Sequence, residues 1–301
     1  MTIRFDGRVV IVTGAGGGLG RAHALAFAQR GAKVVVNDLG VTREGQGVSD
    51  AAIRVVDEIR ASGGEAIADG ANVTDIVQVE AMAAAAMARW GRIDVLVNNA
   101  GILRDKTFAK MDLADFRLVL DVHLMGAMNC TKAVWEIMRA QNYGRIVMTT
   151  SSSGLYGNFG QVNYGAAKLA LVGAMQTLAI EGAKYGIKVN SLAPTAATRM
   201  TADIMDEAML AKLAPEYVSP GVLFLASEDA PTRCILAAGA GGFEVANITL
   251  TRGIVATGED APERIAALFA AMNDRTGETI PANGAEQGAL ELGKVALEVM
   301  A

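Results

Sequence analysis

Residues 8–20 of the chain read RVVIVTGAGGGLG. The first six residues form a short β-branched run, which is typical of a buried parallel strand. Gly14–Gly20 follow as a glycine-rich loop, and residues 21–30 then carry apolar side chains at helical spacing. A strand, a glycine-rich loop and a helix in this order predict the opening of a βαβ unit, with the loop at the carboxyl end of the strand.

The alternation of strands and helices continues along the chain. Further strands are predicted at 33–37, 65–69, 93–97, 145–150, 187–192 and 243–250, and helices at 50–60, 75–90, 113–140, 161–184 and 200–226. This spacing predicts an α/β fold with a single doubly wound, parallel-sheet, Rossmann-like domain over residues 1–257. Residues 258–301 are predicted as a C-terminal helical extension packed on the same domain, and they serve as a cap, an oligomer contact or plain packing.

The composition indicates a folded core and excludes several classes of partner. Of the 301 residues, 51% are hydrophobic and 20% are charged, which is not the composition of a disordered chain. The net charge of -5 is spread along the chain, so we expect neither nucleic acid nor an anionic membrane as a partner. No leader or bilayer-length apolar run is visible, and two cysteines and two histidines show no metal-ligand spacing. We expect a soluble, cytoplasmic protein without a metal.

The glycine-rich loop and one carboxylate predict a dinucleotide site. The loop reads Thr-Gly-x3-Gly-x-Gly, and its glycines permit a tight turn while the following helix offers N–H groups to a pyrophosphate. A glycine-rich turn without a ligand is the alternative. Asp38 ends the second strand, where a carboxylate accepts hydrogen bonds from the adenosine ribose and repels a 2′-phosphate. The nearest basic residue is Arg43, so NAD is predicted in preference to NADP.

Tyr164 and Lys168 stand four residues apart in the predicted helix 161–184, so their side chains share one helix face. A neighbouring ammonium favours the phenolate, and we expect Lys168 to lower the tyrosine pKa from about 10. Ser151 ends a strand at the carboxyl edge of the sheet, where its hydroxyl can polarise a carbonyl. An isolated Tyr-x-x-x-Lys is compatible with a chance surface pair, but Ser151 and the glycine-rich loop favour an acid/base site. No nucleophile-elbow motif surrounds Ser151, which argues against a serine hydrolase.

Three motifs therefore occur in a fixed order: the glycine-rich loop, Asn98–Gly101 (NNAG) after the fourth strand, and Ser-x12-Tyr-x3-Lys. Each motif is weak alone, but the set is specific. On these motifs, residues 5–250 resemble the short-chain dehydrogenase/reductase family. Within that family the chain is most similar to (3R)-hydroxyacyl-CoA dehydrogenases. The stretches that carry this similarity are VNDLG (36–40), NNAGILRD (98–105), GLYGNFGQVNY (154–164) and RMT (199–201).

The resemblance implies an NAD-dependent oxidoreductase that interconverts a secondary alcohol and a ketone. The implied substrate pair is (3R)-3-hydroxyacyl-CoA and 3-oxoacyl-CoA, and the implied catalytic residues are Ser151, Tyr164 and Lys168. The cofactor contacts are predicted at Gly14, Gly18, Leu19, Gly20, Asp38, Asn72, Val73, Asn99, Ala100, Gly101, Tyr164, Lys168, Pro194, Thr195 and Ala196. Ser151, Leu155 and Phe159 are predicted to contact the substrate.

Several alternatives stay open. A 17β-hydroxysteroid or a sterol side-chain thioester is an alternative substrate, and a catalytically silent NAD-binding protein is compatible with the fold. Many family members carry an asparagine where this chain has His123, which either acts through a water or is a packed helix residue. Thr195 stands where much of the family has glycine. The helices 113–140 and 161–184 are expected to pair between subunits in a homodimer or homotetramer.

Overall fold

One eight-stranded sheet forms the centre of the fold. The computed structural model describes residues 2–40, 50–196 and 212–299. The strands are β1 (Val9–Thr13), β2 (Lys33–Asn37), β3 (Glu65–Asp69), β4 (Val95–Asn98), β5 (Gly144–Thr149), β6 (Ile187–Thr195), β7 (Ile235–Gly239) and β8 (Gly242–Ala246). Their order is β3-β2-β1-β4-β5-β6-β7-β8, and every neighbouring pair from β3 to β7 is parallel. The order reverses between β1 and β4, which is where open parallel sheets bind ligands.

Helices connect the strands in the pattern of a doubly wound fold, which confirms the predicted fold class. The helices up to β7 are α1 (Gly18–Gln29), α2 (Ala51–Ala61), α3 (Ile76–Trp90), α4 (Leu113–Leu120), α5 (Gly126–Gln141), α6 (Ser152–Tyr156), α7 (Val162–Gly182) and α8 (Ser219–Leu225). Short 3-10 turns occupy Phe108–Lys110, Ala183–Tyr185 and Pro215–Tyr217, and a π-turn occupies Asp121–Met125.

The central strands are buried on both faces, because helices cover each side of a parallel sheet. All five residues of β1 and all four of β4 are buried. Alternate residues point to the same face, so Val10 and Val12 join one core cluster. That cluster also contains Phe27 of α1, Ile59 of α2 and Val222 of α8. Because all five residues of β1 are buried, the β-branched run that predicts this strand packs against helices on both faces of the sheet.

The structure corrects two predicted elements. The parallel strand β7 (Ile235–Gly239) was not predicted, because its sequence ILAAG is rich in alanine and glycine and lacks the β-branched signature of a strand. The strand predicted at 243–250 is instead the short edge strand β8. Ala240 and Gly241, both with positive φ, connect β7 to β8, and a two-residue connection of this kind makes the two strands antiparallel. Of the helix predicted at 200–226, residues 200–211 lie outside the described residues, and the remainder contains the turn Pro215–Tyr217 and the helix α8.

The helix predicted at 113–140 contains an irregular turn. The π-turn Asp121–Met125 separates α4 from α5 without ending the helical path. A π-turn inserts one extra residue, and such turns are frequent at functional sites. Its central residue, His123, is 3% exposed. The apolar period alone did not predict this turn, because the period is helical on both sides of it.

The described chain forms two compact units, Met1–Val245 and Ala246–Ala301. The second unit contains α9 (Ala261–Ala267), α10 (Phe269–Met272) and α11 (Gly284–Val299). Within it, Leu250 and Thr279 exchange two backbone hydrogen bonds in an antiparallel bridge. The packing of 258–301 on the first domain stays a prediction. Within the described ranges, no helix has the length and apolar character needed to span a bilayer.

Candidate active site

The glycine-rich loop lies at the carboxyl end of β1, beside the point where the strand order reverses. Gly14 has a φ of +62°, and a Cβ there would lie 2.8 Å from the Ala100 Cα atom. A Cβ on Gly20 would collide with the Gly14 carbonyl oxygen. Glycine is therefore required both for the backbone conformation and for the close approach of α1 to the loop. The loop leads directly into α1, whose first N–H groups have no helical partner and suit a pyrophosphate.

Thr13 and Asn99 join the ends of β1 and β4. The Thr13 hydroxyl accepts hydrogen bonds from the backbone N–H groups of Asn99 and Ala100, both at 3.0 Å. The Asn99 side-chain amide donates to the carbonyl oxygens of Thr13 at 2.9 Å and Gly14 at 3.1 Å. Two of the motifs found in the sequence are thus connected directly, and they fix the floor of the predicted dinucleotide site.

Asp38 lies at the carboxyl end of β2 and faces the glycine-rich loop. Its carboxylate accepts hydrogen bonds from the Gly16 N–H and the Gly40 N–H, each at 2.8 Å. A carboxylate offers about four acceptor positions, so acceptor capacity remains for ribose hydroxyls. A Cβ on Gly16 would lie 2.7 Å from the Asp38 carboxylate, so glycine is needed there as well. These residues fit the adenosine half of a dinucleotide.

The other predicted cofactor residues lie at the carboxyl ends of neighbouring strands. Asn72 follows β3, and its side-chain oxygen accepts hydrogen bonds from the Thr74 N–H and hydroxyl. Val73 is buried, and its carbonyl oxygen accepts a hydrogen bond from Asn129. Residues 194–196 follow the same edge at the end of β6. The structure thus brings the predicted cofactor residues to one edge of the sheet, while their contacts with a cofactor stay a prediction.

Ser151 and Tyr164, two of the predicted catalytic residues, lie close together. Ser151 lies two residues after the end of β5 and caps α6, where its hydroxyl accepts a hydrogen bond from the Ser153 N–H. Tyr164 lies in the first turn of α7 and is hydrogen-bonded to the Ser151 side chain. Burial raises the Tyr164 pKa above its ordinary value, the hydrogen bond with Ser151 opposes that rise, and the Asp105 carboxylate adds to it. A serine hydroxyl and a tyrosine hydroxyl therefore meet at the sheet edge.

Lys168 differs from the prediction in its electrostatic effect. Its Nζ atom is buried, donates a hydrogen bond of 2.5 Å to the Thr149 carbonyl oxygen, and lies 5.5 Å from the centre of the Tyr164 ring. Burial lowers the Lys168 pKa to about 7, because the charged form loses hydration. The prediction that Lys168 lowers the Tyr164 pKa is wrong for this structure: burial raises that pKa, and the Ser151 hydrogen bond is what opposes the rise.

His123 contacts both the loop after β4 and Tyr164. Its Nε2 atom lies 2.8 Å from the Ile102 carbonyl oxygen and 3.1 Å from the Ile102 amide nitrogen. Its ring meets the Tyr164 ring edge to face, with centroids 5.3 Å apart. A Cβ on Gly101 would collide with the imidazole. Burial and the charge of Lys168 lower the His123 pKa to about 3, so the ring is neutral at physiological pH.

Comparison with known proteins agrees with this geometry. The short chain dehydrogenase family model matches residues 8–208, which is more than half of the chain. The chain belongs to the short-chain dehydrogenase family. It is therefore an oxidoreductase that uses a nicotinamide dinucleotide. The family resemblance found in the sequence is confirmed.

Individual relatives cover different lengths of this short-chain dehydrogenase. Peroxisomal multifunctional enzyme type 2 of Drosophila melanogaster is 55% identical over 227 residues, which are 75% of this chain and 38% of that enzyme. The structure of the full-length enzyme superposes with a TM-score of 0.80 at 39% identity, over 97% of this chain and 50% of that one. A short chain dehydrogenase from Mycobacterium avium gives a TM-score of 0.78 at 41% identity, over 93% and 99% of the two chains.

A further structural relative contains a cofactor. It is 7α-hydroxysteroid dehydrogenase complexed with NADH and 7-oxo glycochenodeoxycholic acid. The superposition has a TM-score of 0.71 at 32% identity and covers 79% of this chain and 95% of that one. This chain spans well under two thirds of the length of the fly enzyme.

Gln161 and Asn163, which the sequence analysis did not single out, hold the two sides of the site together. Gln161 donates a hydrogen bond to the Asp105 carboxylate at 2.6 Å and accepts one from the Ser153 hydroxyl at 2.8 Å. Asn163 is fully buried and donates to the Arg104 carbonyl oxygen at 2.9 Å. A polar residue directly before Tyr164, on the inner face of α7, is the signal that could have identified Asn163.

The predicted substrate residues have different surroundings. Leu155 is half-buried in α6, whereas Phe159 is 88% exposed in the loop before α7. The backbone of that loop is joined to the loop after β4, because the Lys106 N–H donates to the Gly160 carbonyl oxygen at 2.9 Å. Substrate contacts at Leu155 and Phe159 stay a prediction. The motif at 199–201 lies outside the described residues.

Proposed function

We propose that this short-chain dehydrogenase interconverts (3R)-3-hydroxyacyl-CoA and 3-oxoacyl-CoA with NAD. The observation that carries the chemistry is the Tyr164 phenol, hydrogen-bonded to Ser151 and one helical turn before Lys168. The acyl-CoA assignment is supported by the likeness to the multifunctional enzyme over most of this chain. The R configuration follows from the sequence resemblance alone.

In the oxidative direction, each catalytic residue has a distinct role. Tyr164, as phenolate, accepts the proton of the substrate hydroxyl, and the Ser151 hydroxyl donates a hydrogen bond to the same substrate oxygen. A bound NAD supplies the hydride acceptor. Lys168 is held by the Thr149 carbonyl oxygen and offers its remaining N–H groups to the nicotinamide ribose. The protein thus contributes mainly positioning and proton transfer.

Asp38 supports NAD over NADP as the cofactor. Its carboxylate is fixed by two backbone N–H groups at the end of β2, and a fixed negative charge there disfavours a 2′-phosphate. The structural relative 7α-hydroxysteroid dehydrogenase is complexed with NADH, which supports the same type of cofactor here.

Steroid oxidation is the second candidate function, and it rests on the likeness to 7α-hydroxysteroid dehydrogenase. A 17β-hydroxysteroid or a sterol side-chain thioester would use the same three catalytic residues. An apolar substrate of either kind agrees with the half-buried Leu155 at the site. A catalytically silent NAD-binding protein would not need the Ser151–Tyr164 hydrogen bond, which argues against that alternative.

The predicted assembly and location belong to the same proposal. Exposed apolar side chains occur on the long helices that were expected to pair between subunits, namely Leu113, Leu118, Met125, Leu169 and Ile180. They support a homodimer or homotetramer, and sedimentation that detects only monomer would contradict it. A cytoplasmic location is the proposal from the sequence, whereas several relatives are named peroxisomal. Imaging of the full chain in its own cell distinguishes the two locations.

The test of the function is NADH formation from a panel of substrates. The panel contains (3R)- and (3S)-3-hydroxyacyl-CoA of medium chain length and a 17β-hydroxysteroid, each with NAD and with NADP. We expect turnover of the R thioester with NAD. Turnover of the steroid alone would keep the catalytic residues and discard the acyl-CoA assignment. Turnover of none of the three, with NAD binding retained, would favour the silent alternative.

A further inference from the structure

Two residues that each have a buried, unpartnered side-chain atom line one small cavity. The Oδ1 atom of Asn98 and the Nδ1 atom of His123 are both buried without a protein hydrogen-bond partner among the described residues. Both residues line a cavity of about 10 Å³, together with Gly126 and Ala127 of α5. Asn98 is 5% exposed and His123 is 3% exposed, so neither atom has ready access to bulk solvent.

The other polar atoms of these two side chains are already used. The Asn98 Nδ2 atom donates to the Thr131 hydroxyl at 3.1 Å, which leaves Oδ1 as the free acceptor. The shorter contact of the His123 Nε2 atom is with the Ile102 carbonyl oxygen, at 2.8 Å. The Ile102 N–H also points to Nε2, at 3.1 Å, so a bare Nε2 would accept from that N–H and leave the carbonyl unpaired, whereas a hydrogen on Nε2 satisfies the carbonyl. The shorter contact favours the tautomer with hydrogen on Nε2. Nδ1 is then an acceptor as well.

We propose that one bound water donates its two hydrogens to the His123 Nδ1 and Asn98 Oδ1 atoms, and that His123 held in this way is a positioning residue for Tyr164. A cavity of this size matches one water, and two acceptors match its two hydrogens. The water joins the end of β4 to the π-turn Asp121–Met125. It also sets the neutral Nε2–H tautomer of the imidazole.

The positioning effect reaches Tyr164 through ring contact. The centroids of the imidazole and phenol rings lie 5.3 Å apart with an interplanar angle of 84°, so a shift of one ring moves the other. The π-turn widens the helix at the residues that line the cavity, and Gly101 leaves the space that the imidazole fills. The inference rests on the proposed role of Tyr164 in proton transfer.

The direct test is nitrogen NMR of histidine-labelled protein at neutral pH. In the His23→Gln variant the remaining ring signals belong to His123. We expect a protonated Nε2 and an unprotonated, hydrogen-bonded Nδ1. A high-resolution crystal structure should show one water within hydrogen-bonding distance of both atoms. A protonated Nδ1, or a site without water density, would overturn the water bridge.

The positioning role has its own readout. His123→Phe keeps the ring contact but removes both nitrogens, and His123→Asn restores a donor and an acceptor. We expect kcat to fall roughly tenfold to a hundredfold in His123→Phe with the KM for NAD unchanged, and to recover in part in His123→Asn. Full kcat in His123→Phe would overturn the role. If wild type turned over none of the proposed substrates, the NMR and crystallographic results would still test the water bridge. Failure of the proposed function is therefore distinguishable from failure of this inference.

Discussion

His23 should make the protein sensitive to acid. The side chain is fully buried in α1, with Nδ1 2.9 Å from the Ser219 hydroxyl, and burial lowers its pKa to about 3. The unfolded chain binds a proton to this residue below about pH 6.5, whereas the folded chain does not. Stability from this group is therefore present above pH 6.5 and is lost as the pH falls toward 3. At pH 5 the loss is about 2 kcal/mol.

The assay is urea unfolding at pH 7 and at pH 5, at constant ionic strength and protein concentration. His23→Gln removes the titrating group while its amide can keep a hydrogen bond with the Ser219 hydroxyl. We expect wild type to lose about 2 kcal/mol more than the variant between the two pH values. The carboxylates titrate in both proteins, so their contribution cancels in this difference. An equal loss in the two proteins would refute the reasoning.

Two other predictions concern the catalytic residue and the opposite edge of the sheet. Because burial raises the Tyr164 pKa, the rate of alcohol oxidation should increase toward alkaline pH, while the rate of ketone reduction should stay high at neutral pH. Profiles of kcat/KM against pH in both directions check this. A maximum of the oxidation rate below pH 7 would contradict it. Asp94 is fully buried and accepts hydrogen bonds from Arg8, Arg92 and the Val9 N–H. Asp94→Asn should therefore lower the free energy of unfolding, measured with denaturant, by roughly 3 kcal/mol. The exposed Asp6, paired with Arg4, is the matched control, and Asp6→Asn should have no measurable effect.

The sequence predicted the elements whose local signals agree with the global fold. The β-branched run before the glycine-rich loop gives β1, because a strand covered on both faces needs apolar residues at every position. Ser151, Tyr164 and Lys168 could be assigned to one site because a strand end and a helix start meet at the carboxyl edge of a parallel sheet. The spacing of strands and helices along the sequence predicts the topology of the sheet. The topology in turn places these three residues relative to one another.

Other features depend on contacts between distant residues and have no local signal. The strand β7 has an unremarkable sequence and forms because β6 offers it a parallel partner. The π-turn contains His123, which contacts Ile102 and Tyr164 from distant parts of the chain. The Tyr164 pKa was predicted with the wrong sign, because helical spacing reveals the nearby ammonium but not the burial of the phenol.

The loss of the Tyr164 hydroxyl tests the central claim most directly. Tyr164→Phe keeps the ring and its contact with His123 but removes the group that transfers the proton. With (3R)-3-hydroxyacyl-CoA as substrate, we expect the variant to fold and to bind NAD as wild type does. Its kcat should fall by about 10²- to 10⁴-fold. Turnover at the wild-type rate in this variant would contradict the proposed mechanism.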